Sequence, residues 1–205
     1  MRIYYRYPKL YELIVTKLLY SKRLIERFRE VVGKNQSVFE VAAGYGRVAR
    51  FIDPSNVYRG IDLNEGFVHH GRELGLDLEV KDIFDPLAYR TSDVCIAVDL
   101  IHHVPTEKLK PLFDLIFSHT GRKVVIMEAS FQPMKRYGIL GTLIEWIFCM
   151  IDDDGINKMK RVRTDREYEQ LFENRFGSKH GKDFDLAYEK IEGKHPYQLV
   201  TFTRK

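Results

Sequence analysis

Acidic residues recur at the ends of short apolar runs in this 205-residue chain: Glu40 in V-F-E-V, Asp62 in R-G-I-D, and then Asp82, Asp99 and Glu128. Acids presented side by side at strand ends can accept hydrogen bonds from sugar hydroxyls, hold an amine, read a nucleobase or take up a proton. Just past Glu40 comes a small-residue turn, Ala42-Ala43-Gly44-Tyr45-Gly46. Glycine lets the backbone pass close to a ligand, and a helix starting beyond the turn would add unpaired N–H donors. His102 and His103 follow Asp99, and their neutral imidazoles suit proton removal near pH 7. Adjacent residues of a helix or turn do not face the same way, so at most one of the pair is expected to meet an acceptor. Capping a helix or turn is the competing role for Asp62 and Asp82, and packing against backbone that of the two histidines. His69 and His70 read as surface or structural residues.

The elements that must position these groups follow from the hydrophobic pattern. Apolar runs at 37–41, 57–61, 76–80, 94–98 and 123–127 read as strands, separated by helical stretches at 46–52, 65–74 and 106–118. Strands alternating with helices give βαβ units and a parallel sheet, and continuous rather than alternating runs are those of strands covered on both faces. Leu10, Ile14, Leu18, Ile25, Phe28 and Val32 make 9–32 an amphipathic helical lead-in. After the fifth strand the pattern changes. Residues 134–150 form an apolar, helical segment ending in Asp152-Asp153-Asp154-Gly155, and Thr164-Asp165-Arg166-Glu167 is a capping box opening a helix to about Phe176. Two closing runs, 183–191 and 197–203, have no helix between them and read as a hairpin. The expected fold is an α/β, Rossmann-like three-layer sandwich around a seven-stranded, mostly parallel sheet with a C-terminal antiparallel hairpin. It forms one domain, 1–205, with a helical extension at 1–36 and a lid insertion at 132–165 between strands five and six.

Composition limits what such a domain can be. Hydrophobic residues at 44% and aromatic residues at 13% describe a globular chain. Cys95 and Cys149 build no disulfide framework and no metal-ligand spacing, so no metal is expected and a reducing, cytoplasmic setting fits best. The first residues alternate aromatic and basic without the apolar core of a signal peptide. The longest apolar stretch, 139–151, contains Glu145 and is 13 residues long, whereas a bilayer span needs about 20. It leaves peripheral membrane contact open. Residues 1–36 carry nine Lys and Arg against three Asp and Glu, 37–155 carry 12 against 18, and 156–205 carry 12 against eight. A basic collar about an acidic middle could favour an anionic substrate, although solvated helix faces explain it as well. Nucleic acid is an unlikely partner, since the basic segment has no recognisable RNA-binding module. Oligomeric state is not legible.

Spacing alone admits two ligands. Gly44-x-Gly46-x-x-Ala49 fits the dinucleotide fingerprint, and Asp62, 22 residues past Glu40, stands where an acid takes ribose hydroxyls. Three features favour S-adenosylmethionine over NAD(P). Glu40 before the turn would hold an ammonium and repel a pyrophosphate. A closing hairpin departs from the continuing βαβ of a dinucleotide enzyme. The Tyr-x-x-x-Lys of a short-chain reductase occurs only at Tyr5 and Lys9, ahead of the turn.

The runs E-V-A-A-G-Y-G, G-I-D-L-N-E-G-F, D-I-F and D-L-I-H-H-V-P resemble the class I S-adenosylmethionine-dependent methyltransferases, within them the small-molecule type 11/25-like domains. The resemblance covers roughly 37–131 and the closing hairpin. It implies that Glu40 reaches the methionine amine, that Gly44 and Gly46 let the backbone pass under the carboxypropyl chain, and that Asp62 holds the ribose. Leu63 would lie beside the adenine, with Asp82 and Ile83 at its edge. S-adenosylhomocysteine would be the product. Ala42 departs from the family, whose first loop glycine stands there; alanine suits that place if its φ is negative. Tyr45 replaces a small residue and is expected to shield the ligand.

Methyl transfer from a sulfonium is an in-line displacement, so most of the work is alignment. A base is needed only for a hydroxyl, a thiol or an acidic carbon. Asp99, His102 and His103 are the candidate catalytic residues, with Asp99 also a cofactor contact. Tyr4, Tyr5, Tyr7 and Tyr11 and the apolar 138–151 segment carrying Trp146 could close over the strand ends, which suits a small, partly apolar acceptor. The alternatives are an NAD(P)-dependent oxidoreductase and a non-catalytic S-adenosylmethionine-binding module.

Overall fold

The apolar runs assemble into one sheet. A computed structural model of the chain describes residues 20–129, 163–192 and 196–205. Its strands are β1 (Ser37–Val41), β2 (Val57–Asp62), β3 (Asp77–Val80), β4 (Ser92–Val98), β5 (Thr120–Ala129), β6 (Phe184–Ile191) and β7 (Tyr197–Arg204). They lie in the order β3-β2-β1-β4-β5-β7-β6. The first five are parallel, and β7 runs antiparallel to both β5 and β6. The chain reverses its direction of strand addition between β1 and β4. The crevice outside their carboxyl ends is where such sheets bind ligands.

Side chains alternate between two apolar layers. Phe39, Val41, Cys95, Ala97, Val124 and Ile126 face helices α3 (Thr106–Ser118) and α4 (Asp165–Glu173), which bring Phe113, Phe117, Tyr168 and Phe172. Val38, Val94, Ile96, Val125, Met127 and Leu199 face α1 (Lys22–Val32) through Leu24, Phe28 and Val32. Helix α2 (Glu65–Glu73) packs Val68 against Leu78 of β3. Strands covered on both faces explain the unbroken apolar runs.

Several boundaries differ from the sequence reading for local reasons. No α-helix forms at 46–52; a 3-10 turn of four residues, Arg47–Arg50, stands there. Gly46 enters it in the left-handed region at φ 77°. Beyond it, Asp53 folds an Asx turn onto the Ser55 N–H beside Pro54, so too few residues remain for helical propagation. Helix α4 opens on the expected capping box, Thr164 and Glu167 bonding each other's backbone N–H, but ends at Glu173. Phe176 then turns to φ 57° and stacks on Phe113. Strand β5 is longer than its apolar stretch because β7 pairs with it from Lys123 to Ala129. Tyr4, Tyr5, Tyr7, Tyr11, the 134–150 helix, Trp146, Cys149 and nearly all of the 132–165 insertion lie outside the described residues. Among the described residues no helix is long and apolar enough to cross a membrane.

Candidate active site

The glycine turn is built by left-handed backbone. Ala42, Gly44 and Gly46 have φ of 58°, 57° and 77°. Ala42 therefore keeps the shape of the glycine it replaces, contrary to the negative φ that alanine prefers, and bears some strain for it. A Cβ on Gly46 would come within 2.4 Å of Leu76 Cδ1, so a side chain there needs both strain and displacement. Asp62, the last residue of β2, braces this turn. Its Oδ2 accepts the Gly44 N–H at 2.7 Å and its Oδ1 the Asn64 N–H at 2.8 Å. Asn64, not Asp62, caps α2 by accepting from Phe67 N–H. Leu63 beside it is 43% exposed, an apolar side chain at a strand end with no core to enter.

Tyr45 does not shield the crevice. Its side chain is buried against Phe67 and His70 of α2, so only its backbone borders the turn. Asp82 is exposed and forms an Asx turn onto the Phe84 N–H at 2.9 Å, the capping role weighed against it. Ile83 is half-buried and its carbonyl accepts from the Tyr89 hydroxyl at 2.6 Å. His69 is exposed and His70 packs on Tyr45, as surface and structural residues do.

A polar cluster covers the ends of β1 and β4 on the α1 side. Glu40 is 2% exposed and its Oε2 accepts from the Tyr58 hydroxyl. Burial pushes its carboxyl up to about 8, more than Tyr58 and the nearby Arg47 pull it down. Asp99 follows β4 at φ 50°, a left-handed conformation that aspartate tolerates better than most residues. The Tyr20 hydroxyl donates to its Oδ2, the Tyr197 hydroxyl lies 3.5 Å from the same oxygen, and Arg47 Nη2 is 3.8 Å away. Burial first and the Glu128 charge second raise the Asp99 carboxyl to about 6. Asp99 Oδ1 is buried and accepts no hydrogen bond among the described residues. An ammonium or hydroxyl of a ligand would satisfy it.

On the α3–α4 side a second cluster is centred on Glu128, near the end of β5. Its Oε1 accepts the Ile101 N–H at 2.8 Å, and its Oε2 lies 2.9 Å from His102 Nδ1 and 3.3 Å from the Tyr168 hydroxyl. With Glu128 accepting, His102 carries its proton on Nδ1 and presents Nε2 as a base. The rings of His102 and His103 lie 4.2 Å apart, so the two neighbours share one side of the 3-10 turn Ile101–His103 more than their adjacency suggested. Buried Arg163 ties this turn down, donating to Ile101 O at 2.9 Å and Thr106 Oγ1 at 3.1 Å.

Glu40, Asp62 and Asp99 thus meet around the crevice, while Asp82 stands at its outer edge. Sequence reasoning noticed Glu128 as a strand-end acid without giving it a role. It missed Tyr20, Arg47, Tyr58, Arg163, Tyr168 and Tyr197, for which the one available signal was an arginine directly after the glycine turn.

Known structures share this architecture. The magnesium protoporphyrin IX methyltransferase ChlM from Synechocystis PCC 6803 with bound S-adenosylhomocysteine is 12% identical, matches over 100% of this chain and 98% of its own, and superposes with a TM-score of 0.64. A TehB-like S-adenosylmethionine-dependent methyltransferase from Corynebacterium glutamicum ATCC 13032 Kitasato is 10% identical over 98% of both chains, with a TM-score of 0.64. The pyocyanin biosynthetic protein PhzM is 15% identical over 98% of this chain and 61% of its own, with a TM-score of 0.68. No family model and no curated protein matches the sequence. At these identities the likeness is one of fold, and the fold is that of the class I S-adenosylmethionine-dependent methyltransferases.

Proposed function

We propose that the protein is a methyltransferase that takes its methyl group from S-adenosylmethionine and passes it to the hydroxyl of a small, partly apolar acceptor. The observation that carries the acceptor chemistry is the 2.9 Å pair between His102 Nδ1 and Glu128 Oε2 beside the end of β4. The cofactor supplies an electrophilic methyl on a good leaving group. The chain supplies place and proton handling. Asp62 offers its carboxylate to the ribose while bracing the turn, exposed Leu63 gives the adenine an apolar surface, and Glu40 with Asp99 Oδ1 receives the ammonium. Asp82 and Ile83 border the adenine edge. Bound S-adenosylhomocysteine in the ChlM structure supports the same ligand here. Alignment of acceptor and methyl contributes most of the rate, on the order of 7–11 kcal/mol of barrier. His102 Nε2 takes the hydroxyl proton as the oxygen attacks, and Glu128 and Tyr168 keep the ring in the productive tautomer.

Calorimetry with S-adenosylhomocysteine and with NAD(P) tests the cofactor first: tighter binding of the dinucleotide would sink the reading. Transfer of labelled methyl to a panel of small aromatic and aliphatic alcohols, thiols and amines then tests the base. His102→Gln should abolish transfer to hydroxyls, roughly a hundredfold or more, and leave S-adenosylhomocysteine affinity in place. Undiminished transfer in that variant would remove His102 from the chemistry.

A further inference from the structure

The turn after Gly46 is where this chain parts from a strand–turn–helix cradle. A helix beginning there would offer unpaired N–H groups and about half a positive charge to an anion. A four-residue 3-10 turn gives little of either, and its first residue is Arg47. The Arg47 guanidinium is largely buried, lies 4.4 Å from the centre of the Tyr20 ring and donates to the Tyr20 hydroxyl. Its surroundings are acidic: Asp99 Oδ2 is 3.8 Å away, and Glu40 is close enough for its proton affinity to be lowered by the arginine. The amino-acid tail of the proposed cofactor carries both an ammonium and a carboxylate. Glu40 and Asp99 can receive the ammonium, and both would repel the carboxylate.

We propose that Arg47 binds the α-carboxylate of the cofactor's amino-acid tail, a side-chain cation standing in for the shortened helix, with Tyr20 as its positioning residue. The inference rests on the S-adenosylmethionine reading above. A guanidinium can grip a carboxylate through two parallel N–H bonds, which is both stronger and more directional than a single contact. The Tyr20 ring fixes the guanidinium plane, and its hydroxyl fixes the rotation. That ordering is in place before the ligand arrives, so less freedom is lost on binding.

Calorimetry with three ligands separates the outcomes: S-adenosylhomocysteine, its decarboxylated analogue and adenosine. Arg47→Met should weaken S-adenosylhomocysteine by about tenfold to a hundredfold, while the affinity of the decarboxylated analogue holds or rises. Arg47→Lys, which keeps charge and bulk, should lose less, and Tyr20→Phe should show a smaller loss with the same dependence on the carboxylate. Equal losses for both thioethers in Arg47→Met and Arg47→Lys would reduce Arg47 to a support of the turn and overturn the assignment, as would unchanged S-adenosylhomocysteine affinity. A wild-type protein that binds none of the three would instead bring down the cofactor reading on which the assignment stands.

Discussion

Asp62 has two tasks that a substitution would remove together. Its carboxyl holds Gly44 and Asn64 through their amides, fixing the turn, and the same group is the proposed ribose acceptor. Asp62→Ala should therefore lower S-adenosylhomocysteine affinity by about tenfold or more, the loss of a hydrogen bond to a charged group being on the order of 1.5–3 kcal/mol. Wild-type affinity by calorimetry would refute the ribose contact. Residues of this kind were legible because their partners are near in sequence or fixed by the strand pattern. Asp99 was legible as an acid, but its environment was not. Tyr20 and Tyr197, which face its carboxyl, are separated from it by 79 and 98 positions, and no periodicity links them. Tyr45 misled for a related reason: its type suggested a ligand shield, while α2 provided the nearer apolar partner in Phe67.

Elements were read best where local chemistry and tertiary packing agree. Thr164 and Glu167 announce α4 from sequence, and the reciprocal bonds between them form as expected. The helix then carries Tyr168 onto Glu128, so its first turn supports the His102 cluster. Thr164→Ala should cost about 1 kcal/mol through the lost cap, equivalent to a Tm lower by roughly 2–4 °C in a domain of this size. A thermal melt checks this, and an unchanged Tm would mean that packing of Tyr168 and Phe172 alone holds the helix start. The 46–52 stretch shows the opposite case. Its apolar spacing is helical, yet Gly46 on one side and the Asp53 turn on the other leave room for four residues. Periodicity measures a preference along the chain and takes no account of where the chain must turn back.

At the scale of the whole molecule, the fold concentrates unneutralised acid around one crevice, and its stability should respond to pH accordingly. Glu40 and Asp99 are both raised, to about 8 and about 6, chiefly by burial. Each then binds its proton more tightly in the folded protein than in the unfolded chain. Their contribution to stability is complete below the ordinary carboxylate range of about pH 4, and it is lost as pH rises through about 6 and then about 8. A ligand ammonium changes the balance, because it is held by the charged form of Glu40 and so repays the cost of ionising it. The stabilisation given by saturating S-adenosylhomocysteine should therefore grow between about pH 6 and about pH 9 while the protein without ligand weakens. Thermal melts across that range, with and without the ligand, should show the two curves diverging for the wild type. In Glu40→Gln, which cannot ionise, the protein without ligand should lose less with rising pH and the gain from ligand should stay nearly level. Identical pH profiles for the two proteins would show that Glu40 does not meet the ammonium, and the acid at the end of β1 would then need another role.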